Sequence, residues 1–128
     1  MTPALVGKPA AVSRIVDLNS GVRVADRLQI AATFSQRLLG LMGRRSLDPG
    51  EGLLLLKCRS VHTCFMRFPI DVAYLDEDMW VLAVHEEVQP WRFLRAVEMG
   101  EHTLELPAGT LRHLGVKVGH RLTRTDLG

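Results

Sequence analysis

Cysteine and net charge are both scarce in this chain, and each scarcity excludes something. Two cysteines among 128 residues, Cys58 and Cys64, cannot build a disulfide framework. On one continuous strand they would stand about 20 Å apart, beyond the reach of a bridge. Free thiols in a reducing compartment are therefore expected. A formal charge of +2 is too small to imply nucleic acid or an anionic membrane as a partner. The basic residues look scattered, apart from Arg44-Arg45 and the Arg121 and Arg124 pair. No apolar run is long enough to cross a bilayer. Met1 to Val12 lack the charged and apolar blocks of a signal peptide, so the cytoplasm is the expected compartment. No glycine-rich phosphate loop, internal repeat or low-complexity tract occurs.

What is present describes a folded β-rich chain. Hydrophobic residues make up 47% and charged residues 23%, which suits a globular domain with a substantial core. The length predicts one domain over 12–128 behind a flexible tail over 1–11, and a monomer. Strands are expected at Ser13–Leu18, Val22–Ala31 (with a bulge near Asp26), Leu53–Leu56, Ser60–Met66, Ile70–Leu75, Met79–Val88, Thr103–Leu106 and His120–Thr123. The four-leucine run reads as a strand buried on both faces. Thr33 followed by Gln36 reads as a capping box opening a helix over Thr33–Met42, ended by Gly43. Pro107 is expected to start a second short helix over Ala108–Leu114, ended by Gly115. Regular strand–helix alternation is missing, so the expected fold is mainly β (α+β). It is a compact antiparallel sandwich or barrel-like domain with two short peripheral helices.

The central hairpin can be read residue by residue. With Asp76-Glu77-Asp78 as a three-residue turn, Tyr74 faces Trp80, Val72 faces Leu82 and Ile70 faces Val84. That face is wholly apolar or aromatic and is predicted to be core. The opposite face, with Asp71, Ala73, Leu75, Val81, Ala83 and His85, is mixed and is expected to be half-covered or to line a groove.

Several constellations carry chemistry. Cys58, His62, Cys64 and Met66 are soft donors spaced to share one strand face, but Cys-x5-Cys along a strand cannot close on one ion without a bend plus His85 or His102. Buried packing is the commoner role of such cysteines, and no metal or cofactor is expected. A nucleophilic Cys64 with His62 or His85 as base, oriented by Glu86 or Asp71, lacks a helix N-terminus to lower the thiol pKa. A binding surface is the third reading. Arg59, His62, Thr63, Arg67, Asp71, Trp91 and Arg92 are its candidate residues, since arginine beside an exposed tryptophan suits an anionic or sugar-like ligand. The bland alternative pairs Arg67 with Asp71 and uses Trp91 to close the core.

Four blocks carry a family resemblance: Gly40-Leu41-Met42-Gly43-Arg44-Arg45-Ser46-Leu47 with Glu51-Gly52-Leu53-Leu54; His62-Thr63 with Met66 and Pro69-Ile70-Asp71; Leu104-Glu105-Leu106-Pro107-Ala108-Gly109-Thr110; and Leu114-Gly115-Val116-Lys117-Val118-Gly119. Together, over about Ile15 to Leu122, they resemble the prokaryotic family catalogued as domain of unknown function 192. The resemblance implies a mostly β, sandwich-like domain and no established biochemical role; many relatives look exported. This chain departs from it at Met79, where relatives usually have glycine, and at His120, where they often have aspartate. The last block also looks like the turn of swapped-hairpin transcription regulators, but no basic stripe accompanies it. The expected function is a small non-enzymatic binding or accessory module for a small ligand or a protein partner, with a polar groove beside the hairpin. The alternative is a small Cys/His- or metal-dependent enzyme.

Overall fold

Seven strands form one sheet in the spatial order β6-β5-β8-β3-β2-β1-β9, and two more form a separate ribbon. The computed structural model describes residues 13–39, 41 and 44–127. The sheet comprises β1 (Ser13–Asp17), β2 (Arg23–Ala31), β3 (Glu51–Leu55), β5 (Ile70–Leu75), β6 (Val81–Val88), β8 (His102–Pro107) and β9 (Leu122–Asp126). The ribbon pairs β4 (Val61–His62) with β7 (Phe93–Leu94). The helices are α1 (Phe34–Leu39) and α2 (Thr110–Leu114). Neighbours in the sheet are antiparallel except β2 and β3, which are parallel. A parallel pair needs a long crossover, and the segment through α1 supplies it.

The sheet curls until its two edges meet at one end, giving a half-barrel. There Val81 N–H donates to His120 O (2.8 Å), Gly119 N–H to Val81 O (2.9 Å) and Leu122 N–H to Met79 O (2.9 Å). The inner face packs Ile15, Leu28, Leu54, Ala73, Leu75, Leu104 and Leu106 against Leu111 of α2. The outer face carries a second core, in which Leu53, Leu55, Ile70, Val72 and Tyr74 are covered by Leu41, Leu47 and Met66. The leucine run therefore serves both cores. Each such side chain contributes about 1.5–3 kcal/mol over an exposed one.

Local signals appear as expected in places. Gln36 N–H donates to Thr33 Oγ1 and Thr33 N–H donates to Gln36 Oε1, both at 3.1 Å, closing the capping box. The bulge near Asp26 is present, with the β1–β2 register slipping on either side of Ile15. The expected helix stop at Gly43 and the N-terminal tail lie outside the described residues.

Other expectations are corrected. The strand expected over Ser60–Met66 shrinks to β4. The last strand begins at Leu122 and runs to Asp126. β8 runs through Pro107, and α2 starts after Gly109, whose φ of 91° suits glycine. The hairpin register also differs. Tyr74 faces Ala83, Val72 faces His85 and Ile70 faces Val88. The turn is longer than three residues because Asp76 Oδ1 accepts both the Asp78 and the Trp80 amides at 2.9 Å. Asp76 and Trp80 also close a backbone bond, and Met79 takes a left-handed φ of 70°. Trp80 is consequently 40% exposed, while Asp71 is wholly buried. All six residues of β5 are buried, so its second face is barrel interior and not a groove.

Candidate functional site

The loops around β4 and β7 gather most of the residues singled out from the sequence. Val61 pairs with Leu94 and His62 with Phe93. Val61 and Leu94 pack onto the outer core, which turns the alternate residues His62 and Phe93 outward. Beside them Phe65 and Trp91 meet with ring centroids 4.7 Å apart. Phe65, Trp91 and Phe93 are 60%, 57% and 79% exposed. Large aromatic side chains are normally buried for most of their area, so three exposed on adjoining loops, two of them in contact, make an apolar patch.

Thr63 holds the patch in place from below. Its N–H donates to Arg92 O (2.9 Å), and its carbonyl accepts the Trp91 amide (3.0 Å) and the Met66 amide (3.2 Å). Its hydroxyl donates to Gln89 O (2.7 Å) and accepts the Arg92 amide (2.8 Å). These bonds offset local strain: Phe65 and Trp91 have φ of 66° and 67°, a region that costs a non-glycine residue about 1–3 kcal/mol.

The electrostatics of these loops are one-sided. Residues 57–67 and 89–97 contain Lys57, Arg59, Arg67, Arg92 and Arg95 and no acid; Glu87 and Glu98 lie just outside. All five cations are exposed, and among the described residues none of them makes an ion pair. The net +2 of the chain thus hides a local concentration of positive charge.

Of the sequence candidates, His62, Thr63, Trp91 and Arg92 come together here. Thr63 is buried and positions the others. Arg59 and Arg67 are exposed on the loops flanking β4. Asp71 does not join them, nor does it pair with Arg67. It sits on the inner face, where Oδ1 accepts the Glu87 amide (2.8 Å) and the Gly109 amide (3.1 Å), and Oδ2 accepts the Leu111 amide (2.9 Å). Phe65, Phe93 and Arg95 were missed. The alternation Trp91-Arg92-Phe93, two aromatics around a cation, was the available signal.

The soft-ligand set is dispersed. The Cys58 thiol donates to Ser60 O (3.2 Å), His62 Nδ1 accepts the Cys64 amide (3.3 Å), and His102 Nδ1 accepts the Lys57 amide (3.0 Å). His85 stacks edge-on against Tyr74 at 5.7 Å. Among the described residues no three His, Cys, Asp or Glu side chains converge as metal ligands. Burial pushes the Cys58 thiol pKa up, the opposite of nucleophile activation.

Under the patch lies a polar floor on the outer sheet face. Tyr74 donates its hydroxyl to Leu94 O (3.3 Å), and burial pushes its pKa to about 12. Thr103 donates to Cys58 O (2.7 Å). Glu105, opposite Leu53 and Val72, is 4% exposed, and burial pushes its carboxyl to about 8. A separate groove of about 430 Å³ at the closure of the sheet is lined by Leu18, Met79, Arg121 and Arg124 among others, and shares no residue with the patch.

Over residues 15–124 the chain matches DUF192, described as an uncharacterized ACR. The chain belongs to the DUF192 family. A UPF0127 protein of Pyrococcus furiosus is 32% identical over 111 residues, covering 84% of this chain and 95% of the relative. A UPF0127 protein of Pyrococcus abyssi is 29% identical over 114 residues, covering 84% and 94%. A Sinorhizobium meliloti structure described as a candidate transcription regulator aligns with a TM-score of 0.77 at 27% identity, over 94% of this chain and 100% of its own. A protein of unknown function from Novosphingobium aromaticivorans aligns with a TM-score of 0.77 at 23% identity, over 96% and 97%, and shows the fold alone. The function of DUF192 is uncharacterised. No helix among the described residues of this DUF192 domain is long and apolar enough to cross a membrane. The two positions where the resemblance leads one to expect glycine and aspartate have structural counterparts. Met79 occupies the left-handed position that glycine takes without cost, and His120 Nδ1 lies 2.7 Å from the buried Asp17 carboxylate.

Proposed function

We propose that this DUF192 domain is a small binding module whose contact surface is the aromatic and arginine-rich patch around β4 and β7. One observation carries the reading: Phe65 and Trp91 are held in contact, in strained backbone, by a buried threonine that spans both loops. Stability alone gives no reason to expose these rings. The five unpaired cations favour an anionic partner, with arginine forks taking carboxylate, phosphate or sulfate groups and the rings taking an adjoining flat or apolar part. The enzymatic alternative through Cys64 gains no support from His62, whose Nδ1 is taken by the Cys64 backbone amide, or from His85, which stacks on Tyr74. Two free cysteines suit a protein working in a reducing compartment such as the cytoplasm.

The test is titration of the protein with soluble polyanions (polyglutamate, a sulfated oligosaccharide and oligothymidylate), read on Trp91 emission in a Trp80→Phe background. Trp91→Ala and the double change Arg67→Ala with Arg92→Ala are expected to abolish binding while the circular dichroism spectrum is kept. If the charge variant binds every partner as the parent does, the patch is structural only.

A further inference from the structure

We infer that the patch docks on an anionic membrane surface, with Phe65, Trp91 and Phe93 entering the interface and the arginines facing lipid phosphates. The inference rests on the reading of this patch as the contact surface, and it names the partner. Three observations select it among anionic partners. The apolar part is an exposed ribbon and its turns, where Phe65, Trp91 and Phe93 are 60%, 57% and 79% exposed. Phe93 and His62 stand on the outward face of β4–β7, and the Phe65–Trp91 pair adjoins them at the loop turns. A bilayer accommodates projecting rings, whereas a compact ligand needs a concave site.

The ring geometry is the second observation. Phe65 and Trp91 are tilted by 57° at a 4.7 Å centroid separation, so no base can be inserted between them. Single-stranded nucleic acid is held by stacking on open, sequential ring faces. Interfacial anchoring requires only an apolar body with a polar edge, and tryptophan has both.

The charge distribution is the third. The two segments that carry the rings, 57–67 and 89–97, hold Lys57, Arg59, Arg67, Arg92 and Arg95 and no acid, although the whole chain has 16 basic and 14 acidic residues. Clustered cations beside exposed aromatics match the field of an anionic leaflet, which attracts each nearby Lys or Arg and is screened within about 10 Å at 0.1 M salt. Net charge conceals this match, because the rest of the chain holds 14 acidic residues against 11 basic ones.

The experiment uses the full chain carrying Trp80→Phe and vesicles of phosphatidylcholine with or without phosphatidylglycerol. Sedimentation with the phosphatidylglycerol vesicles is expected, with a blue shift of Trp91 emission, and the vesicles lacking it should take up little protein. Phe93→Ala should weaken partitioning at least about ten-fold and Arg92→Ala should do so more at low salt than at high. Phe93 is outward-facing, so its variant should fold; Arg95→Ala provides a second reading that touches no ring. Sedimentation with no Trp91 shift, or with no effect of Phe93→Ala, overturns docking through the aromatic loops. Absence of vesicle binding alongside polyanion binding that needs Arg67 and Arg92 overturns the membrane and leaves the binding module standing. Absence of both overturns both.

Discussion

The Asp71 carboxylate lies 2.9 Å from the Leu111 amide, forty residues on, and binds the first turn of α2 to the sheet. The same carboxylate takes the Gly109 and Glu87 amides, so one buried side chain satisfies three backbone amides from two separate segments. The burial of an aspartate inside a β-barrel core is accounted for by those three donors, which replace its water.

Asp71→Ala should therefore be among the most damaging single changes. It leaves three amides without their acceptor, and a charged hydrogen bond is worth roughly 1.5–3 kcal/mol. A loss of about 3–5 kcal/mol is expected on urea denaturation, with Asp71→Asn intermediate. A change below about 1 kcal/mol would contradict the role as cap.

Stability should fall as pH rises through the neutral range. The Glu105 carboxyl holds its proton to about pH 8 when folded but releases it near the usual 4.5 when unfolded. Between those limits the folded state binds the extra proton, so the slope is negative, up to about 1.4 kcal/mol per pH unit. The contribution is complete below the lower limit and declines no further above the upper one. Glu105→Gln should flatten the curve across this window, as measured by denaturation midpoints. An identical slope in the variant would show that the carboxyl ionises freely in the fold.

Thr63→Val removes one hydroxyl that serves both loops. The Gln89 carbonyl and the Arg92 amide lose their partner, at a cost of about 1–3 kcal/mol. Hydrogen exchange should quicken at Trp91 and Arg92 before it does in β5. Thr63→Ser should restore protection. Uniform acceleration through the sheet would place the role of Thr63 in the core and not in the patch.

Trp80→Ala should be mild for a tryptophan. Its ring covers the Arg121 guanidinium at 5.5 Å, an exposed contact worth about 0.5–1 kcal/mol. Tyr74→Ala, from the fully buried outer core, should cost about 3–5 kcal/mol. Equal costs for the two would restore the register in which Tyr74 and Trp80 face each other.

Thr33 and Gln36 found each other as expected, because a capping box is complete within three residues. The leucine run was legible as a doubly buried strand for a similar reason: it shows no polar residue on either face. The hairpin was legible as two strands but not in its register. The five-residue turn depends on Asp76 accepting two amides, and the choice between that turn and a shorter one is also made by the Val81 amide donating to His120 O and by Met79 O accepting the Leu122 amide. The candidate patch was half legible, as arginines near a tryptophan. That Phe65 packs against Trp91 was not, since the two loops are brought together by the β4–β7 pairing and by the bonds of Thr63.

Composition and apolar patterning by themselves determined a single β-rich domain with short helices, its two-faced leucine strand and its helix cap. Those features arise from side chains acting on backbone a few bonds away, so the order of residues contains them. The parallel pairing of β2 with β3, the inward turn of Asp71, the exposure of Trp80 and the contact of Phe65 with Trp91 were decided only by the tertiary structure. Each requires a partner brought from a distant segment, and a buried carboxylate or a strained loop persists only where those partners meet it.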